Sequence, residues 1–303
     1  MDLVKEREHL SPAHIPELVF RDYDIRGLAY SEITPQFAKS LGRALGALIC
    51  NTPAEPLANP IKEPLANSPL EPSIENTPKH SVYVGRDARL SSTRLAAALK
   101  DGLVACGCNV IDLGEITTPA LNFAVHHGTQ SGNGIMVTAS HNPATYNGFK
   151  IILQHQVISG ETLQQLIPMM RDENLHLDKP PESMGSLVEA DIVSQYLDHI
   201  VDISRLEKSF KLVVDGANSV PGPIATQLFD RLGCLAFPLY CDIDGSFPNH
   251  PPNPADEKNL VDLQRHVIDQ QAELGLAFDG DGDRIGVVDE KGAALFEVAI
   301  LET

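Results

Sequence analysis

Along most of the chain, short apolar runs bounded by turn residues alternate with stretches in which apolar residues return every three or four positions. Thr34-Pro35 offers a capping hydroxyl followed by proline at the first helical position. Phe37, Leu41, Ala44, Leu45, Leu48 and Ile49 then recur at helical spacing, which predicts an amphipathic helix ending near Cys50. Further on, strands are predicted at Ser81 to Val84, Asn109 to Leu113, Gly134 to Thr138 and Phe149 to Leu153. Helical patterns fill Ser91 to Cys106, Pro119 to His127 and Glu161 to Met170.

After the polar stretch Arg171 to Ser186 a second round begins. Helices are predicted near Ile192 to Val201, at Pro223 to Leu232 and at Leu260 to Gln271. Strands are predicted at Leu212 to Val214, Leu235 to Leu239, Leu274 to Phe278 and Ile285 to Val288. Such alternation predicts an α/β fold of two successive layered domains with mixed, mostly parallel sheets, divided near residue 188. The expected division is 1–188, 189–290, and 291–303 as the start of something further. One segment breaks the pattern: residues 51–80 hold seven of the 22 prolines and repeat EPLAN, which reads as a mobile surface insertion outside the chemistry.

Composition narrows the function classes. A net charge of −18 over 303 residues opposes binding to nucleic acid or an anionic membrane, since both rely on clustered Lys and Arg. No apolar stretch approaches the ~20 residues that span a bilayer, and the charged start MDLVKEREHL lacks the apolar core of a signal peptide, so a cytoplasmic protein is expected. The five cysteines form no CxxC pair and read as buried, reduced thiols. Among the histidines, His126 and His127 diverge on a helix, and His250 reads as structural.

Chemistry concentrates in two places. Asp279-Gly280-Asp281-Gly282-Asp283-Arg284 follows an apolar strand, and its three carboxylates at alternate positions can converge on a hard cation, Mg²⁺ or Ca²⁺. The spacing fits an EF-hand at positions 1, 3, 5 and 12, but Arg284 stands where that loop needs glycine, and strands flank it. The second place is Ala139-Ser140-His141-Asn142-Pro143, which turns out of the strand Gly134 to Thr138 and sets a hydroxyl at a strand's carboxyl end, where open α/β sheets place ligands. A hydrolase elbow is excluded, because Thr138 and Asn142 occupy the positions that need glycine. Scarce positive charge, at Arg21, Arg26, Arg86, Arg89, Lys150 and Arg284, suits phosphate oxygens.

Six motifs, FRDYDIRG (20–27), VGRDAR (84–89), TASHNPATYNGFK (138–150), VDGANSVPG (214–222), DGSFPNHPPNP (244–254) and FDGDGDRIG (278–286), closely resemble, in order, those of the α-D-phosphohexomutases, nearest to the bacterial phosphomannomutase/phosphoglucomutase branch. The resemblance implies that Ser140 is a phosphoserine and that Asp279, Asp281 and Asp283 hold Mg²⁺ with a phosphoserine oxygen. Arg26, His141 and Arg284 would stabilise the transferred phosphoryl oxygens. Lys150 would move a proton at the sugar hydroxyl, its pKa lowered by nearby cations, and Tyr23 would touch the ligand. The implied reaction interconverts hexose 1- and 6-phosphates through a bisphosphorylated sugar, with a glucose 1,6-bisphosphate-type activator priming the serine. Family members have four domains; the motifs of the third and fourth are not found here, so little mutase activity is expected of this chain alone. The residues themselves leave open a non-catalytic Mg²⁺ and sugar-phosphate binding module and a metal-dependent phosphatase. Neither the sugar nor the oligomeric state is legible.

Overall fold

Strands whose apolar residues run without interruption must be covered on both faces. That is how the chain is layered in the computed structural model, which describes residues 15–51, 80–128, 130–172, 175 and 184–299. The first sheet contains β1 (Ile25–Leu28), β2 (Ser81–Arg86), β3 (Asn109–Glu115), β4 (Gly134–Val137), β5 (Tyr146–Leu153), β6 (Gln156–Val157) and β7 (Leu187–Glu189). Its order is β1-β5-β4-β2-β3-β7, with β6 beside β5. The helices α1 (Pro35–Asn51), α2 (Ser92–Ala105), α3 (Thr118–His127), α4 (Gly160–Arg171) and α5 (Val193–Ile203) flank it.

The alternate faces of β2 and β4 explain the layering. Val82, Val84, Ile135 and Val137 pack into a core with Phe37, Leu41 and Leu45 of α1, Leu95 and Leu99 of α2 and Leu166 of α4. Tyr83 and Met136 point to the other face and join Leu121 and Ala124 of α3 and Ile192 ahead of α5. At the start of α1 the Thr34 hydroxyl accepts from the Phe37 amide at 3.1 Å, as its sequence predicts.

The second sheet follows the same logic on a smaller scale. It is built from β8 (Lys211–Asp215), β9 (Leu235–Leu239), β10 (Leu274–Phe278), β11 (Arg284–Asp289) and β12 (Ala294–Ala299), with α6 (Pro221–Arg231) and α7 (Val261–Gln270). The order is β12-β11-β10-β8-β9. Leu263 and Val267 of α7 cover one face, against Val213 and Ala277. On the other face Leu212 and Leu276 meet Phe229 and Leu232 at the end of α6. The helix α5 touches both α3 and α6 and so bridges the two halves.

Three features differ from the sequence reading. β1 lies in the polar stretch FRDYDIRG and is recruited as an edge strand by antiparallel pairing with β5. Residues 294–299 run antiparallel to β11 and complete the second sheet, instead of opening a separate unit at 291. The serine turn joins β4 to β5 as a hairpin, which adds an antiparallel pair to the mixed first sheet that the alternation does not suggest. The proline-rich insertion lies, except for its ends, outside the described residues. Among those residues no helix is long and apolar enough to cross a membrane.

Candidate active site between the serine turn and the aspartate loop

Ser140 leaves β4 with a left-handed backbone, φ 52°, a conformation that costs a non-glycine residue energy and needs support. The support comes from Arg89, which is fully buried. Its Nη2 donates to the carbonyls of Ser140 and Asn142, each at 2.6 Å, and its Nη1 to those of Pro143 at 2.6 Å and Tyr146 at 3.2 Å. Its Nε binds Asp87 at 2.9 Å, and Asp87 in turn accepts from Ser92 and Thr138. The Thr138 hydroxyl accepts from the Ser140 amide at 2.8 Å. The serine turn is therefore fixed by a network whose charges are spent inside the protein.

The aspartate loop is built as tightly. Asp279 Oδ1 accepts from the amides of Gly282, Asp283 and Arg284 at 3.0 to 3.2 Å, which closes the hairpin around one carboxylate. Asp279 Oδ2 accepts from the Ser140 hydroxyl at 2.6 Å, although the two residues lie 139 positions apart. Thr118, at the start of α3, donates from its hydroxyl to Asp281 Oδ2 at 2.5 Å and from its amide to the Asp281 carbonyl at 2.8 Å. Gly280 is required by proximity: a Cβ there would meet the Ser140 carbonyl oxygen at 2.4 Å.

The carboxylates of Asp279, Asp281 and Asp283 each present an oxygen within 4.8 Å of the others. Asp281 Oδ1 and Asp283 Oδ1 are buried with no hydrogen-bond partner. Buried acceptors are rarely left unpaired, and an oxygen-only donor set with two spare oxygens fits a hard divalent cation. Lys150 supplies positive charge at the edge of this set, 2.8 Å from Asp281 and also paired with Asp283.

Electrostatics follow from crowding three acids in one dry place. Burial first, then the charges of Asp281 and Asp283, push the Asp279 carboxyl well above its usual range. Asp283 is raised as well, by burial and by Asp281. For Asp281 burial works upward, but Lys150 and the Thr118 hydroxyl outweigh it and bring the group to about 2. Burial would lower Lys150, yet Asp281 and Asp283 hold it above its ordinary value, the opposite of the expected lowering. The carboxylates face the ammonium, whereas the sequence reading weighed only neighbouring cations. His141 is brought down to about 4 by burial and by Arg284, Arg26 and Lys150, so it is neutral near pH 7.

A cleft of about 670 Å³ opens beside the serine turn, and Tyr23, Arg26, Ser140, His141, Lys150, Asp283 and Arg284 all line it. Arg26 is nearly buried, paired with Asp24 and donating to Asn142 Oδ1 at 3.2 Å, while its Nε has no partner. Tyr23 is 75% exposed at the rim. These candidate residues are thus gathered around one opening, with Asp279 and Asp281 fully buried behind it, in contact with Ser140 and Lys150 respectively. Two arginines grouped with them are not: Arg89 is consumed by backbone carbonyls, and Arg86 lies 3.4 Å from Glu115, outside the lining of this cleft. Thr118 and Ser219, whose hydroxyl donates to the Gly280 carbonyl at 2.5 Å, went unnoticed in the sequence. The pair Thr117-Thr118 ahead of Pro119 was the available signal, since a helix start carries unsatisfied amides and capping hydroxyls that can turn to an acidic loop.

Comparison with known proteins places these features in context. Residues 69–175 match the family profile described as phosphoglucomutase/phosphomannomutase, alpha/beta/alpha domain I, and residues 194–292 match its domain II. A phosphomannomutase/phosphoglucomutase of Pseudomonas putida is 39% identical over 293 residues, covering 97% of this chain and 57% of that protein. One from Pseudomonas aeruginosa is 40% identical over 287 residues, covering 95% and 55%. The crystal structure of a phosphoglucomutase/phosphomannomutase family protein from Burkholderia thailandensis superimposes with a TM-score of 0.78 at 37% identity, covering 93% of this chain and 57% of that one. The chain spans a little over half the length of the curated relatives it matches.

Proposed function

Given that the chain belongs to the phosphoglucomutase/phosphomannomutase family, we propose that it carries the phosphoryl-transfer centre of a phosphohexomutase acting on hexose phosphates. In this reading the residues of domains I and II, divided near residue 188, are Ser140 as the phosphoryl carrier and Asp279, Asp281 and Asp283 as the Mg²⁺ ligands, joined by a Ser140 oxygen. The observation that carries it is the 2.6 Å contact between the Ser140 hydroxyl and Asp279 across two sheets. A bound Mg²⁺ would supply Lewis-acid stabilisation of charge on the transferring group.

The remaining roles belong to the protein. Arg26 and Arg284, both in the lining of the cleft, orient phosphoryl oxygens, and neutral His141 contributes a hydrogen bond instead of a charge. In the transfer, the Ser140 oxygen–phosphorus bond breaks and the sugar oxygen–phosphorus bond forms. The proton lost by the sugar hydroxyl balances the one regained by Ser140. Lys150 is the group assigned to move that proton, and to do so it must leave Asp281 and Asp283, which keep it charged. Tyr23 contacts the sugar at the rim. The two half-reactions interconvert hexose 1- and 6-phosphates through a bisphosphorylated sugar, and a glucose 1,6-bisphosphate-type activator primes the serine.

Phosphopeptide mapping tests this directly. Incubation with Mg²⁺ and glucose 1,6-bisphosphate is expected to label Ser140 alone, the label passing back to added glucose 6-phosphate and being absent in Ser140→Ala. Cation and sugar-phosphate binding without any label would leave a binding module. Release of inorganic phosphate that persists in Ser140→Ala would indicate a phosphatase.

A further inference from the structure

Away from the cleft, three of the five cysteines meet where the end of α1 faces the start of β3. Cys50 Sγ lies 3.5 Å from Cys108 Sγ and 3.2 Å from the Cys106 carbonyl, to which it donates. Cys106 turns its own sulfur elsewhere, donating to the Arg43 carbonyl at 3.4 Å. Cys108 is fully buried, whereas Cys50, the penultimate residue of α1, is partly open to solvent. The two remaining cysteines belong to the second half of the chain, and Cys241 Sγ donates to the Val214 carbonyl at 3.3 Å.

This arrangement combines an accessible thiol with a buried one already in van der Waals contact. Closing a disulfide of ~2.05 Å from the present separation needs a shift of roughly 1.5 Å. A side-chain rotation at the last turn of a helix provides such a shift, because that turn has no further helical residues to carry along. We propose that Cys50 and Cys108 are a redox-active thiol pair that a hydroperoxide converts to an intramolecular disulfide, with Cys50 oxidised first and Cys108 resolving. In the first step Cys50 sulfur bonds to the terminal peroxide oxygen, the O–O bond breaks, and the other oxygen leaves with the thiol proton as one molecule of water or alcohol, giving a sulfenic acid. In the second, Cys108 sulfur attacks the Cys50 sulfur and the sulfenic hydroxyl leaves as water. The peroxide is reduced and the two thiols lose two electrons and two protons in total.

The proton distribution agrees with that order. The hydrogen bond from Cys108 pushes the Cys50 thiol down despite burial, while the same contact and burial push Cys108 up. The bond would tie the end of α1 to the start of β3 and enclose the central strand β2 within a covalent ring. Neither cysteine lines the phosphoryl-transfer cleft, so the inference stands apart from the proposed function.

The test uses the full reduced chain treated with hydrogen peroxide, then denatured, alkylated and weighed intact before peptide mapping. Two of the five thiols are expected to become unreactive, the mass to fall by two hydrogens before alkylation, and the linked peptides to contain Cys50 and Cys108. Dithiothreitol is expected to restore all five. In Cys108→Ser, dimedone is expected to label Cys50 at least tenfold more than Cys234 or Cys241. Five alkylatable thiols after peroxide, a link from Cys50 to Cys106, or a link between two chains would each overturn the proposal.

Discussion

Arg89 donates to four backbone carbonyls and to Asp87, with the Phe247 ring of the second half 5.3 Å from its guanidinium carbon. Removing it strands the Asp87 charge and the carbonyls that shape the Ser140 backbone. Arg89→Ala is therefore expected to cost about 3–5 kcal/mol, the range for breaking a buried ion pair from one side, read by urea denaturation. In the sequence this residue read as a phosphate-binding arm. Charge is visible in a sequence, but whether a guanidinium will meet a ligand or a main-chain turn depends on the fold. By contrast, the convergence of the three aspartates and their meeting with Ser140 were legible, because the motifs are dense and local. His250 was read as structural and is held 3.1 Å from buried Asp215. Burial opposes its protonation, yet Asp215 outweighs that and raises its pKa above the usual value. A raised folded value means stabilisation that is complete below the unfolded pKa of roughly 6.5 and is lost as pH climbs through the folded one. The loss of Tm in His250→Gln is accordingly expected to be larger at pH 6 than at pH 9.

The helices α1 and α2 cross at two glycines. A Cβ on Gly42 would meet the Leu99 carbonyl oxygen at 2.2 Å, and one on Gly102 the Lys39 carbonyl oxygen at 2.3 Å. Backbone cannot yield as a flexible side chain does, so Gly102→Val is expected to cost at least about 1–3 kcal/mol through overpacking, seen as a lower denaturation midpoint at unchanged slope. The 3.6-residue period of Phe37, Leu41, Leu45 and Ile49 made α1 readable from sequence. β1 and β12 were not readable, because an edge strand owes its existence to the partner it pairs with more than to its own pattern. The serine turn illustrates the same limit: it is a hairpin, and pattern alone does not tell a hairpin return from a crossover, whereas the short aspartate loop between two apolar strands was legible as one.

Across the molecule, the site exists only because two sheets are held in one relation. Thr118 reaches Asp281, Ser140 reaches Asp279, Phe247 covers Arg89, and α5 contacts α3 and α6. The sequence indicated two α/β units and the residues that would meet, whereas this set of clasps between distant segments had no periodic signature. The central claim is that the Ser140 hydroxyl and the aspartate loop share one divalent cation. It is tested most directly by anomalous scattering from crystals grown with Mn²⁺ in place of Mg²⁺. The expected result is a single strong peak bonded to oxygens of Asp279, Asp281 and Asp283 and to Ser140 Oγ, with the Lys150 ammonium displaced from Asp281 and Asp283. A loop without a peak, in which Lys150 still bridges those two carboxylates at saturating Mn²⁺, would contradict it.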